Sequence, residues 1–196
     1  MTPFINGRRL YLRGLTRQEV LGPLLDWNDD REVTRYLVRG AVPSNRERAE
    51  RAYLAGLDNP REVELGVATQ AEDRLIGVVG LYGMEPIRRA AEFRILIGDK
   101  DFWGQGFGTE ATRLTLAYGF EILNLHKIFL GVNSEHEGAL GVYLNSGFVR
   151  EGELRDEIFR NGRYYGAIRM SILEQEYRQA RDTWDLANQL RAQFPA

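Results

Sequence analysis

The sequence has no cysteine, and only two histidines, His126 and His136, in 196 residues. Disulfides, thiolate zinc sites and a cysteine nucleophile are therefore excluded. Any catalysis must come from carboxylates, tyrosines, main-chain groups or a bound cofactor, and no metal site is expected. An excess of charge of one sign is also missing: 26 basic residues stand against 28 acidic ones, for a formal net charge of -2. No overall field draws the chain to nucleic acid or to an anionic membrane, so the expected partner is a small molecule or a short peptide. No apolar run is long enough to span a bilayer, and Pro3, Asn6, Gly7 and Arg8 break the first ten residues in a way no signal peptide does. The expectation is a soluble cytoplasmic protein. Low-complexity stretches, long linkers and internal repeats are absent too.

What is present is a 43% hydrophobic composition, enough for the core of one domain. Leu10 to Leu12 reads as a short strand. Thr16 with Glu19 three residues later reads as a capping box opening a helix to Trp27. A break over Asp26 to Asp30, a short helix over Arg31 to Val38, and a helix from Arg46 to Leu57 after the Pro43-Ser44-Asn45 stop and cap are expected next. From Glu62 the period changes to two, giving a hairpin of Val63 to Thr69 and Leu75 to Leu81, and then a strand from Ala91 to Gly98. A helix over Thr109 to Leu123, a strand at Ile128 to Val132 and a helix over Glu137 to Asn145, closed by Gly147, follow. Phe148 to Leu154 and Tyr164 to Leu173 form a last hairpin about Asn161-Gly162. This is a mixed α/β (α+β) chain: one domain over residues 1–173, and a helical tail over 174–196 packed on it or extending from it.

Between the strand ending at Gly98 and the helix from Thr109 lies Trp103-Gly104-Gln105-Gly106-Phe107-Gly108-Thr109. Glycines permit a sharp turn and a close approach of N–H groups to a ligand, and a helix start offers unsatisfied donors at a positive dipole end. Together they suit a pyrophosphate. A plain strand-to-helix connection explains the glycines equally well. A P-loop is excluded because no Gly-Lys-Ser/Thr follows, and the spacing of a dinucleotide fingerprint is lacking.

The run from Ala91-Glu92-Phe93 through Asp99-Lys100-Asp101-Phe102 and the glycine loop to Glu110-Ala111 resembles the acetyl-CoA motif of the GNAT superfamily of N-acetyltransferases. Ala139 to Phe148, with Tyr143 on a helix and Gly147-Phe148 opening a strand, resembles that family's second signature. Trp27-Asn28-Asp29-Asp30 to Tyr36-Leu37 is similar to the branch of ribosomal-protein N-terminal acetyltransferases and aminosugar N-acetyltransferases. The resemblance implies a mostly antiparallel sheet flanked by helices. Its fourth and fifth strands, Ala91 to Gly98 and Lys127 to Val132, would splay apart to admit the pantetheine arm of acetyl-CoA.

Main-chain groups of Ile95, Leu96 and Ile97 would then pair with that arm. The N–H groups of Gln105, Gly106, Gly108 and Thr109 would hold the pyrophosphate, and His136 stands where the family usually has a cofactor-contacting Asn. Trp103 replaces an Arg or Gln found in many members, which leaves the loop without a side-chain cation. The resemblance also implies direct transfer, in a ternary complex, to a primary amine on a protein N-terminus, an aminosugar or a small molecule. Such an amine must first lose a proton, because an alkyl ammonium is protonated at neutral pH.

Tyr143 is the expected general acid for the departing thiolate, with a half-buried helix aromatic as the structural reading. Glu92 is the expected base, with an ordinary strand carboxylate as its alternative. A main-chain N–H of Leu96 or Ile97 would stabilise the oxyanion. Trp27, Asp29 and Tyr164 are expected to line the acceptor site. Further acids for the amine are Asp30, Glu32, Glu85, Asp156 and Glu157, whereas Arg88, Arg89 and Arg94 would suit an anionic acceptor. Arg113 either reaches a cofactor phosphate or faces solvent. A noncatalytic acyl-CoA-binding regulatory module is the competing class, and the chain is expected as a monomer or homodimer.

Overall fold

The period-two pattern after Glu62 becomes the centre of a mixed sheet in the computed structural model, which describes residues 2–37 and 40–194. Among these residues the strands are β1 (Ile5–Asn6), β2 (Leu10–Arg13), β3 (Val63–Thr69), β4 (Leu75–Glu85), β5 (Ala90–Ile97), β6 (Lys127–Asn133), β7 (Val149–Arg160) and β8 (Arg163–Leu173). They lie in the order β1-β2-β3-β4-β5-β6-β8-β7. Each neighbouring pair is antiparallel except β5 and β6, which run parallel. The two strands expected to splay are thus fifth and sixth in the chain, because Ile5–Asn6 adds a short edge strand that Pro3 and Gly7 hide in the sequence.

The early helical region is cut differently from expectation. Thr16 and Glu19 do form a reciprocal capping box, but α1 (Arg17–Val20) stops at once. Pro23, with no N–H to donate, then opens α2 (Pro23–Asp29), so the expected break at Asp26 is helix instead. The next stretch is not the expected helix but a series of turns over 31–36, and Val38 lies outside the described residues. Asp30 Oδ1 accepts the N–H groups of Glu32 and Val33, offering the chain a local alternative to the helical ladder. Asn45 caps α3 (Arg46–Leu57) through the N–H of Arg48.

The helix expected from Thr109 starts two residues earlier as α4 (Phe107–Ala117), and a π-helical turn over Tyr118–Ile122 continues it. Gly106, at φ +82°, is its left-handed N-cap. At Gly119 a side chain would stand 2.7 Å from Ile128 Cδ1, so the π turn presses main chain directly onto β6. α5 spans Glu137–Asn145. β7 runs on to Arg160, past the expected end at Leu154, because register shifts after Arg150 and Leu154 absorb extra residues, the second with Asp156 at φ +52°. Asn161 and Gly162, at φ +50° and +80°, make the tight turn into β8.

Apolar side chains on the α4 face of the sheet form the larger core, with Phe93, Leu114, Leu116, Ile128 and Met170 fully enclosed. A smaller cluster on the other face joins Val20, Leu24 and Val78 to Leu96, Trp27 and Tyr53. The tail folds as α6 (Glu174–Arg181) and α7 (Ala187–Gln193), and its Tyr177, Trp184, Leu186 and Leu190 belong to the larger core. No helix of the described residues is long and apolar enough to cross a membrane.

Candidate active site

β5 is paired along its whole length with β4 but meets β6 only at Ala90, Ala91 and Glu92. Beyond that point β6 stays with β8, and the two parallel strands part. The N–H of Gly98 donates to the carbonyl of Ile76, its opposite residue, which makes that pair hydrogen-bonded. Antiparallel alternation then gives the main-chain groups of Leu96 and Arg94 to β4 and turns those of Phe93, Ile95 and Ile97 toward β6. The last β5–β6 pair, Glu92 with Phe129, engages the Phe93 N–H, so the Phe93 carbonyl and the groups of Ile95 and Ile97 face the gap. Leu96, expected to pair with a ligand, is therefore corrected: its N–H and C=O are engaged by Val78. The Phe93 carbonyl takes its place, an assignment that register provides and residue type does not. The Ile97 carbonyl already accepts the Trp103 indole N–H at 2.7 Å.

Tyr143 on α5 reaches the same gap. Its ring meets Phe93 and Phe148 edge-on, at centroid distances of 6.1 and 5.7 Å. It is 8% exposed, and burial pushes its phenol well above the ordinary range. Its hydroxyl donates to no described residue and, unlike that of Tyr177, is not sealed off from solvent. A partnerless donor beside an unpaired strand edge fits an extended ligand that carries amides and a sulfur.

At the mouth of the gap Gly104 and Gly106 both have positive φ, +70° and +82°. The first α4 bond is that of Glu110 N–H to the Gly106 carbonyl, so the N–H groups of Phe107, Gly108 and Thr109 have no intrahelical acceptor. Phe107 escaped the sequence reading because the helix was expected to begin at Thr109. A side chain at Gly104 would meet nothing within 4 Å, and one at Gly108 only Ile97 and Val142 at 3.8 Å, so the loop's outer side is open. Gln105 is fixed at both ends: its Nε2 donates to the Asp101 carbonyl, and its own carbonyl accepts Arg9 Nη1 at 2.8 Å.

His136 caps α5, its Nδ1 accepting the Ala139 N–H at 3.4 Å, and its ring stacks on Tyr36 at 4.2 Å. Desolvation holds its imidazole below the usual value. Arg113 neither reaches the glycine loop nor faces solvent; it bonds Asp185 and the Asn145 carbonyl under Trp184, tying the tail to α4 and α5.

On the opposite face of β5, Glu92, Arg94 and Leu96 share one side. Glu92 is half-buried and paired with Arg94 at 2.7 Å, and Arg94 lies 4.8 Å over the Tyr82 ring. Trp27 packs directly on Gly98, where a Cβ would fall 2.0 Å from its Cδ2. Asp29 accepts the Ser44 N–H, and Lys100 bridges Asp30 and Glu32 at 2.9 and 2.8 Å. Tyr164 does not join this group: it is 61% exposed, its ring lies against Phe159 at the hairpin tip, and it faces away from Arg160, whose side chain turns inward to Thr34. Asp156 and Glu157 line an open hollow on β7 with Glu153, Leu154 and Arg155, a product of the bulge and not of the gap. Arg88 and Arg94 are ion-paired with Glu85 and Glu92, and Arg89 donates to the side-chain amide of Asn124.

A parted pair of parallel strands, with a glycine-capped helix start at its mouth and a buried proton donor inside, defines an acyl-CoA-dependent transferase. A family profile described as an acetyltransferase (GNAT) domain matches residues 9–149. Spermidine N(1)-acetyltransferase of Vibrio cholerae is 37% identical over 169 residues, 86% of this chain and 95% of that protein. Spermidine N(1)-acetyltransferase of Escherichia coli K12 is 44% identical over 101 residues, which span 52% of this chain and about half, 54%, of that protein. The crystal structure of the Vibrio cholerae spermidine N-acetyltransferase with CoA and spermine superposes with a TM-score of 0.80 at 36% identity, covering 86% of this chain and 98% of that one. The chain belongs to the GNAT acetyltransferase family, as an N-acetyltransferase with acetyl-CoA as its donor.

Proposed function

We propose that the protein acetylates a primary amine of an aliphatic polyamine of the spermidine class. What carries this reading is the near full-length similarity to the Vibrio cholerae enzyme. Side-chain chemistry supports it: Arg88 and Arg94, which would greet an anionic aminosugar nucleotide, are ion-paired, while α2 presents Asp26 and Asp29, which pair with no basic side chain among the described residues. A chain of ammonium groups is better matched to such a wall than a phosphate is.

In this reading the donor supplies an activated acyl thioester. The edge-facing carbonyl of Phe93 and N–H groups of Ile95 and Ile97 orient it, and the N–H of Ile95 or Ile97 faces the negative charge that develops on the carbonyl oxygen. Glu92, through a water, takes the proton from the incoming ammonium once Arg94 moves aside, and the free amine forms the new C–N bond. As the C–S bond breaks, Tyr143 gives its proton to the thiolate. Trp27 forms the apolar wall for the acceptor's methylenes, with Asp29 beside it. The main-chain donors of Gln105, Gly106, Phe107, Gly108 and Thr109 hold the diphosphate. His136 positions α5 and makes no required contact with the donor.

The test is release of free thiol from acetyl-CoA with a panel of spermidine, spermine, an aminosugar nucleotide and a short peptide with a free N-terminus. Turnover with the polyamines, and a product acetylated at a terminal nitrogen by mass spectrometry, is the expected result. Preference for the peptide or the sugar would overturn the acceptor assignment. CoA binding with no thiol release on any amine would return the chain to a noncatalytic binding role.

A further inference from the structure

The glycine loop carries no side-chain cation between Trp103 and Thr109, yet a carboxylate, Glu110, sits in the first turn of the helix behind it. Glu110 is 7% exposed and holds the start of β2: its Oε1 accepts the N–H groups of Arg8 and Arg9 at 2.6 and 2.9 Å. A negative charge there repels a diphosphate approaching the same helix start.

Arg9 answers both features at once. Its Nε donates to Glu110 Oε2 at 3.1 Å and its Nη1 to the Gln105 carbonyl at 2.8 Å. The guanidinium lies 4.3 Å over the Phe107 ring, and its Nη2 stands 3.2 Å from where a Gly106 Cβ would be. The side chain is nonetheless 48% exposed, so its charge is shared with solvent at the loop instead of being spent wholly on Glu110.

We propose that Arg9, from the N-terminal strand and about a hundred residues away in sequence, is a diphosphate-binding residue for the donor. It offsets Glu110, holds the Gln105 carbonyl away from the phosphates and supplies the cation that Trp103 does not. The proposal rests on acetyl-CoA as donor and is independent of the acceptor. Its test uses no amine, so its failure is separable from failure of the polyamine reading.

Calorimetric titration of CoA and of 3′-dephospho-CoA into the native protein, Arg9→Ala and Arg9→Lys, at low and at high salt, makes the test. Arg9→Ala is expected to weaken both ligands about tenfold at low salt, with the gap narrowing at high salt, and Arg9→Lys to recover part of the loss. Native affinity in Arg9→Ala overturns the proposal. So does a loss confined to CoA with dephospho-CoA unaffected, or a loss that salt leaves unchanged. Should Arg9→Ala fail to fold, Arg9→Gln, which keeps a donor for the Gln105 carbonyl and drops the charge, carries the same comparison.

Discussion

The Tyr143 ring stands edge-on to Phe93, with centroids 6.1 Å apart and planes at 85°, so the phenol is held where β5 and β6 part. Packing against Phe93 and Phe148 fixes the ring without using its hydroxyl. Tyr143→Phe keeps that packing and removes only the proton donor. Turnover is expected to fall about a hundredfold, with the CoA dissociation constant unchanged. Because burial raises the pKa of Tyr143, the group stays protonated through neutral and mildly alkaline pH, and native kcat is not expected to decline there. Steady-state kinetics across pH, beside calorimetry, check both statements; native turnover in the variant removes the acid role.

Gly106 has φ +82° and caps α4, a conformation that a β-branched residue resists. Gly106→Val is expected to rotate the loop N–H groups out of convergence and to abolish measurable CoA binding, while the enclosed core keeps the fold. Calorimetry with CoA and a thermal melt on the same sample distinguish the two effects. An unchanged dissociation constant would dismiss the loop as the diphosphate cradle.

Much of this architecture was readable because local chemistry decides it. The Thr16-Glu19 capping box, the Asn45 cap and the Asn161-Gly162 turn depend on residues a few positions apart, and α5 ends where Gly147 allows it. What escaped depends on partners distant in sequence. Neither Leu96 nor Phe93 reveals by type which edge its peptide faces; the register with Val78 and Leu81 does. Arg9 is one of many arginines until the fold carries it to Gln105, and Tyr164 is an ordinary hairpin aromatic until Phe159 takes its ring. The tail was expected as a helical segment on or beyond the domain, because Tyr177, Trp184 and Leu190 are spaced too irregularly to announce a buried face.

Arg13 is nearly enclosed and is held by Glu19 through two bonds, of 2.6 and 2.9 Å. Burial pushes the Glu19 carboxyl up, but Arg13 and the Thr16 N–H and hydroxyl outweigh it and hold the pKa below the ordinary value. A carboxylate with a lowered folded pKa contributes stability that is present above its unfolded value and is lost as pH falls through the folded one. Glu19→Ala leaves a buried guanidinium short of its partner and is expected to cost about 3 kcal/mol at neutral pH, with a smaller difference from the native protein below about pH 4. Urea denaturation at both pH values measures it. Equal losses at the two would mean that the pair contributes packing and no charge interaction.

Trp184 lies between the two tail helices, 5% exposed, with its ring edge-on to Tyr177 at 5.7 Å and the Arg113 guanidinium 5.3 Å away. Tyr177 in turn stacks on Phe120 of the π turn, and Arg113 holds the end of α5 through the Asn145 carbonyl. The tail is thereby coupled to both helices that frame the donor gap. Trp184→Ala opens a cavity in the larger core and is expected to cost roughly 3–5 kcal/mol. The melting temperature should fall by roughly 10 °C for a chain of this size. CoA should recover part of that loss, because a ligand that binds only the folded state shifts the melt upward by mass action. If the variant melts like the native protein, the tail is an appendage; if it melts low but gains as much from CoA as the native protein does, the gap and the tail are not coupled through Arg113.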